Sequence, residues 1–277
     1  MISILLLLMQ LINSYIHWNP DPEIINIFGL SIRYYGLFFA GGILLCVNIL
    51  SWMFKKEKLL PENLDKLTTY CVIGIVVGAR LGHCLFYEPS HYLNNPIDIL
   101  KIWQGGLASH GGVLGLLLAM YLYSRKTRHS MIHVADLITV VAGLSFALIR
   151  LGNFMNSEIV GLPTTKPWGV VFEKIDLVPR HPAQLYEAIS YLIIFGILMI
   201  LYKTKRESFK NGFFFGLGCI LFFSARLLIE LTKVNQVAFE EELTLNMGQL
   251  LSIPFILIGI VFVIRGLRKT KESSSYS

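Results

Sequence analysis

Apolar residues in this chain come in long unbroken runs, not in the alternation of half-buried strands or the stripe of a surface helix. Seven such runs lie at 31–53, 67–87, 106–123, 132–152, 185–203, 212–232 and 248–266. Each is long enough to cross a hydrocarbon core of roughly 30 Å as a helix. Turn and charge signals separate them: Lys55-Lys56-Glu57-Lys58, Asn94-Asn95-Pro96, Arg125-Lys126-Thr127-Arg128 and Lys205-Arg206-Glu207. The alternating ten-residue segments of a membrane barrel are absent. The pattern therefore predicts an all-α integral membrane protein of seven transmembrane helices, folded as one polytopic domain over residues 1–277. Between the fourth and fifth spans, residues 153–184 are expected to form a small external subdomain. Pro163, Pro167, Pro179 and Pro182 punctuate it, and the mixture of Trp168, Val170, Val171 and Phe172 predicts order there. No internal repeat is visible, which removes the inverted-repeat signal of many transporters.

Composition agrees, with 54% apolar and 15% charged residues and a mean hydropathy of +0.60. That leaves too little charge to cover a soluble domain. The net charge of +6 invites a nucleic-acid reading until the cations are placed. With span edges included, the gaps after the first, third, fifth and seventh spans hold 15 of the 24 Lys and Arg, against 5 in the alternate set. Cytoplasmic loops carry the basic excess, so the N-terminus is expected outside and the C-terminus in the cytoplasm. The basicity is then topological, and no nucleic-acid partner is expected. Met1–Ile16 lacks the basic start and cleavage site of a signal peptide and reads as a retained apolar helix at the outer interface. Cys46, Cys71, Cys84 and Cys219 have neither disulfide nor metal-ligand spacing and read as packing residues.

Four arginines remain, Arg33, Arg80, Arg150 and Arg226, within or at the edge of spans. An arginine at a span centre costs roughly 2.5–3.5 kcal/mol on insertion scales. Arg33 reads as an interfacial residue reaching to the headgroups. Arg80, His83 and Tyr87 share one helix face by their spacing. Gly105-Gly106-Leu107-Ala108-Ser109-His110-Gly111-Gly112 opens the third span, with Gly115 one turn on. Glycines at four-residue spacing serve close helix packing, and equally the approach of a head group or peptide. His110 among them reads either as a packing residue or as a base. Arg150-Leu151-Gly152-Asn153-Phe154-Met155-Asn156-Ser157-Glu158, followed by Gly161, is denser than a helix cap requires. His181-Pro182-Ala183-Gln184-Leu185-Tyr186-Glu187 opens the fifth span, with Gln184 and Glu187 on one face; a helix-start role stands beside a chemical one. Arg226 and Glu230, one turn apart, can pair within their helix.

These groups, Arg33 apart, gather toward the outer span ends under the predicted topology. Buried arginines suit an anion, and a phosphate suits the guanidinium fork well. At a membrane face that anion is a phospholipid head group. A histidine has the neutral pKa a base needs, and donors aimed at a departing phosphate lower the barrier by about 3 kcal/mol each. No nucleotide, metalloprotease or serine-hydrolase motif is present, and neither a metal nor a cofactor is expected.

At these residues the chain resembles the bacterial prolipoprotein diacylglyceryl transferases. The resemblance rests on Gly105–Gly115, Arg150–Gly161, His181–Glu187 and Arg226/Glu230, in that order. Ile32-Arg33-Tyr34-Tyr35-Gly36 and Gly248-Gln249-Leu250-Leu251-Ser252-Ile253-Pro254 add to it. It covers most of residues 28–266, and the combination Gly-Gly-x-x-x-His-Gly-Gly with Arg-x-Gly-Asn-x-x-Asn-x-Glu is highly specific.

The resemblance implies an enzyme of the bacterial cytoplasmic (inner) membrane with its active site toward the outer face. It would move the sn-1,2-diacylglyceryl group of phosphatidylglycerol to the lipobox cysteine of a prolipoprotein, making a thioether and releasing glycerol-1-phosphate. It implies His110 as base for the acceptor thiol, and Arg150 and Arg226 as holders of the phosphate. Tyr35, Asn153, Glu158, Gly161 and Glu230 would shape the pocket, with Arg80 and Gln184 at further motif positions. The bilayer, phosphatidylglycerol and prolipoprotein lipobox peptides are the implied partners. One departure is visible: many members carry Arg and then Pro-Asp after the glutamate, where this chain has Lys233-Val234-Asn235-Gln236. A lipid flippase or transporter, or a lipid-dependent transferase with another acceptor, are the rival readings. The first predicts polar residues through the whole span, whereas Val113–Met120 and Ile189–Met199 are almost wholly apolar.

Overall fold

Long helices dominate the computed structural model, which describes residues 15–27, 30–234 and 245–267. They are α1 (Tyr34–Lys56), α2 (Pro61–Phe86), α3 (Ser109–Thr127), α4 (Met131–Met155), α5 (Ala183–Lys205), α6 (Phe213–Glu230) and α7 (Met247–Leu267). Six of the seven are long and apolar enough to cross a membrane. α3 is the exception, because its apolar stretch is confined between a start of Ser109, His110 and two glycines and an end of Ser124, Arg125 and Lys126. Proline at the first turn starts α2, where its missing N–H costs nothing. α3 follows Gly105 and Gly106, whose φ values of 94° and 73° suit glycine alone. Helix bounds exceed the apolar runs where polar turns extend a helix, as Pro61–Lys66 does for α2.

Five short strands lie outside the all-helical expectation: β1 (Ile16–Trp18), β2 (Glu23–Ile27), β3 (Leu30–Arg33), β4 (Val170–Phe172) and β5 (Pro179–Arg180). Runs of two to five residues are too brief to show alternation. β1 pairs parallel to β4, joining Ile16 to Val170 and Trp18 to Phe172, and β5 pairs antiparallel on the other side of β4. β2 and β3 form an antiparallel hairpin. The expected N-terminal helix falls mainly outside the described residues, and Ile16 is in a strand. The Ser273–Ser277 tail also falls outside them.

The chain divides into two compact units, Met1–Cys46 with Thr139–Ser277, and Val47–Ile138. In the first, α6 packs along α7, where Gly216 and Gly259 bring the backbones together. Phe146, Tyr191 and Phe222 meet edge to face between α4, α5 and α6. The 153–184 segment is ordered around Phe154, Val170 and Phe172, with Trp18 packed against them. The Trp18 indole N–H donates to the Phe154 carbonyl at 2.9 Å.

In the second unit, α2 and α3 pack along their lengths. Gly74, Gly78 and Gly82 of α2 face Gly111 and Gly115 of α3 so closely that a Cβ at Gly78 would lie 2.8 Å from Gly115 Cα. The packing role of the α3 glycines is thus met, and it is matched by a second glycine row on α2.

Candidate active site

The last turns of α4 carry Arg150 and Asn153 on one face, three residues apart. Arg150 Nη1 donates to Asn153 Oδ1 at 3.1 Å, and Asn153 Nδ2 donates to Glu158 Oε2 at 3.0 Å. Asn156 Nδ2 donates to the other oxygen of Glu158 at 3.1 Å. The backbone that brings Glu158 back to α4 turns sharply. Ser157 and Ile159 both have left-handed φ, 56° and 55°. For a β-branched residue such as Ile159 that is a strained conformation, costing on the order of 1–3 kcal/mol, and such strain gathers at functional sites.

α5 supplies the other side. Gln184 is fully buried and donates through Nε2 to the Glu158 carbonyl. Glu187, one turn further, is also fully buried. Its Oε2 lies 2.9 Å from Arg150 Nε, and its Oε1 lies 2.9 Å from Lys233 Nζ. Lys233 in turn reaches Glu230 Oε2 at 3.1 Å. Glu230 at the end of α6 also closes against Gly248 of α7, where a Cβ would lie 2.5 Å from its carboxyl carbon. Glu230 therefore pairs with Lys233, and no ion pair joins it to Arg226 among the described residues. The departure at Lys233 preserves a cation that neutralises two buried carboxylates.

Gly161 sits where three backbone segments meet. Its N–H donates to the His181 carbonyl at 2.9 Å, and a Cβ would lie 2.7 Å from the Thr232 carbonyl oxygen. It bridges antiparallel to Lys233, so it fixes the segment that delivers that cation. Tyr35, at the start of α1, lies against Gly152, whose Cβ would come within 2.9 Å of the tyrosine ring. His181 Nδ1 and Tyr186 OH are 3.0 Å apart, and the Trp168 indole N–H donates to the same hydroxyl at 2.8 Å.

Polar atoms left over are concentrated here. Asn156 Oδ1, Ser157 Oγ, Gln184 Oε1, Glu187 Oε2 and Arg226 Nε are buried with no hydrogen-bond partner among the described residues; outside this group only Thr68 Oγ1 shares that state. Glu187 Oε2 has the Arg150 ion pair without hydrogen-bond alignment. Native interiors keep such atoms few, so these groups call for a partner in water, an ion or a ligand. A buried guanidinium N–H without an acceptor is the strongest of the set. Asp176, outside the spans, is held below its ordinary carboxyl value by hydrogen bonds from Arg180.

Arg80 and His110 belong to the second unit. Arg80 is buried, and its guanidinium is spent on backbone carbonyls. Nε donates to Ile99 at 2.8 Å, Nη1 to Gly105 at 2.6 Å and Gly106 at 3.2 Å, and Nη2 to Asp98 at 2.5 Å and Lys101 at 3.4 Å. His110 is exposed in the first turn of α3, with no hydrogen bond or ion pair among the described residues. Of the first-unit cluster, sequence reasoning named Tyr35, Arg150, Asn153, Glu158, Gly161, Gln184, Arg226 and Glu230 as site residues, and it did not name Asn156, Ser157, Glu187, Tyr191 or Lys233. Glu187 was visible only as a carboxylate sharing a face with Gln184.

The geometry is that of an apolar multi-helix protein with guanidinium groups at helix ends and no group of metal-binding side chains among the described residues. Ionisable side chains kept within apolar helices mark a functional site in a membrane protein. A family model described as prolipoprotein diacylglyceryl transferase matches residues 22–265. A phosphatidylglycerol–prolipoprotein diacylglyceryl transferase of Tolumonas auensis is 49% identical over 89% of this chain and 96% of its own. Proteins of the same description from Bacteroides fragilis and Chloroherpeton thalassium are 48% and 44% identical. They cover 90% and 94% of this chain, and 94% and 97% of their own. The chain belongs to the prolipoprotein diacylglyceryl transferase family, and it is a transferase.

Proposed function

We propose that the protein transfers the sn-1,2-diacylglyceryl group of phosphatidylglycerol to the thiol of a prolipoprotein's lipobox cysteine. In this step the acceptor sulfur attacks the glyceryl carbon bonded to the phosphate oxygen. A C–S bond forms, the C–O bond breaks with its electron pair, and glycerol-1-phosphate leaves. The thiol proton passes to a base and then to the departing phosphate, so neither a cofactor nor a redox partner is needed.

The observation that carries this reading is the pair of arginines beside carboxylates already neutralised by Lys233. Arg226 keeps a buried Nε without an acceptor, and Arg150, engaged at Nε by Glu187 and at Nη1 by Asn153, has more N–H donors than these contacts use. Both are then available to phosphate oxygens, where charge-assisted bonds are about twice as strong as neutral ones. Asn153 and Glu158 hold Arg150 from one side. Tyr35, Gly161, Gln184 and Glu230 shape the surroundings. His110 takes the thiol proton, a role for which its unengaged ring nitrogens suit it, and Arg80 holds the loop that precedes α3.

The same reading has α3 as a seventh span, the N-terminus outside and the C-terminus in the cytoplasm of a bacterial inner membrane. Residues 153–184 then form an external subdomain, with the active site toward the outer face. The basic residues of the alternate loops support that orientation.

The test is purified protein incubated with phosphatidylglycerol and a lipobox peptide. The peptide's cysteine should gain the mass of a diacylglyceryl group, and His110→Ala and Arg150→Ala should fold but lose most turnover. No mass gain with active controls refutes the activity, and normal turnover in both variants refutes the site. Lipid cleavage without peptide alkylation would favour a transferase with another acceptor.

A further inference from the structure

We infer that Glu187 is a positioning residue that aims Arg150 at the lipid phosphate, an inference that rests on the reading above. The cluster is formally balanced: Arg150, Arg226 and Lys233 stand against Glu158, Glu187 and Glu230. Its net charge therefore offers an incoming phosphate monoanion little general attraction. What remains is direction, meaning which guanidinium N–H groups point at the phosphate and how firmly they are held.

Arg150 is a flexible side chain and is held at two of its three nitrogens. Asn153, on the same helix, takes Nη1 at 3.1 Å. Glu187, on α5, lies 2.9 Å from Nε. Glu187 is thus the charged member that holds the guanidinium from outside its own helix, with the Tyr191 hydroxyl beside it on α5. Its carboxylate has no exposure to solvent, so burial makes it costly to leave unpaired and hard to displace. Lys233, at 2.9 Å, neutralises the oxygen that Arg150 does not use, and Tyr191 OH lies 3.4 Å from that same oxygen. Without Lys233 the carboxylate would draw more of the guanidinium onto itself. With it, Glu187 orients Arg150 through Nε, the Tyr191 hydroxyl steadies the pair, and the guanidinium N–H groups not so engaged are left to the ligand.

The discriminating measurement is a double-mutant cycle on lipid binding, with Glu187→Gln, Arg150→Ala and the double variant. Gln keeps the shape of Glu187 and removes its charge. Full-length protein in detergent is titrated with dioleoyl phosphatidylglycerol, and with dioleoyl phosphatidylcholine as control, up to lipid concentrations a hundredfold above the wild-type midpoint. Glu187→Gln should weaken phosphatidylglycerol binding about tenfold in the native background. In the Arg150→Ala background it should change binding less than twofold, because the residue it acts through is gone.

A loss of equal size in both backgrounds would mean that Glu187 acts through the fold and overturns the inference. So would unchanged binding in Glu187→Gln. Should Glu187→Gln fail to give folded protein, Glu187→Asp takes its place, since it keeps the charge and withdraws the carboxylate by one methylene; the same cycle must then hold. If the wild-type protein does not prefer phosphatidylglycerol to the control lipid, the proposed function itself fails, a result separate from any failure of the cycle.

Discussion

The contact between α2 and α3 makes a sharp prediction about two neighbouring helical positions. A Cβ at Gly78 would lie 2.8 Å from Gly115 Cα and 3.1 Å from Gly115 N, both backbone atoms that cannot swing aside. A Cβ at Gly112 would lie 3.6 Å from Ala79 Cβ and 3.7 Å from the Ile75 carbonyl, which is ordinary contact. Carbon atoms pack best at about 3.5–4.0 Å, so Gly78→Ala forces the helices roughly 1 Å apart. Overpacking of this kind costs about 1–3 kcal/mol, and rigid backbone on both sides puts it toward the upper end. Gly112→Ala gains up to about 1 kcal/mol of helix propensity with nothing to offset it. On the usual scaling for a chain of this size, Gly78→Ala should lower the melting temperature by about 5 °C or more. Gly112→Ala should leave it unchanged or raise it. Thermal melting of the full chain in detergent reads both, and equal melting of the two variants would refute the close backbone contact.

Lys233→Met should destabilise by about 3–5 kcal/mol, because it strips the cation from Glu230 and half of the neutralisation from Glu187. Lys233→Arg should be tolerated, since a guanidinium can reach two carboxylates at once; comparable melting of Lys233→Met and wild type would contradict the network. Asp176 gives a pH signature outside the spans. Its carboxyl is held below the ordinary 3.8 by Arg180, so the folded state favours the charged form. That stabilisation is present above the ordinary value and is lost as pH falls through the lowered one. The melting difference between wild type and Asp176→Asn should therefore be steady near neutrality and vanish in acid, and a gap that persists at the acid end would overturn the assignment.

The helices were legible because an uninterrupted apolar run of about 20 residues has few other fates. α3 was the weakest of them: its run is bounded by His110 on one side and by Arg125 on the other. The strands were not legible, since β1 and β4 are three residues each and pair across more than 150 positions of sequence. Arg150, Asn153 and Glu158 were legible as a cluster because they are adjacent in sequence. The expected Arg226–Glu230 pair was reasonable from helix spacing, but spacing along one helix cannot register a competing cation from the following turn. Glu187 was missed for a similar reason. Its partners come from α4 and from the segment after α6, and only the fold brings them to it. The α2 glycines escaped notice because their partners, Gly111 and Gly115, lie 29 to 41 residues away in the chain.

Arg80 carries a consequence for where its loop can live. Non-helical backbone at membrane depth is ordinarily excluded, because its carbonyls need water that lipid does not provide. Five carbonyls between Asp98 and Gly106 turn instead to one buried side chain, with the Tyr92 ring 4.9 Å from the guanidinium carbon. The arginine is in effect a hydration shell made of protein. The short 3₁₀ turns before α3 and the two glycines after them are so supplied, and their carbonyls need less water than bare backbone would.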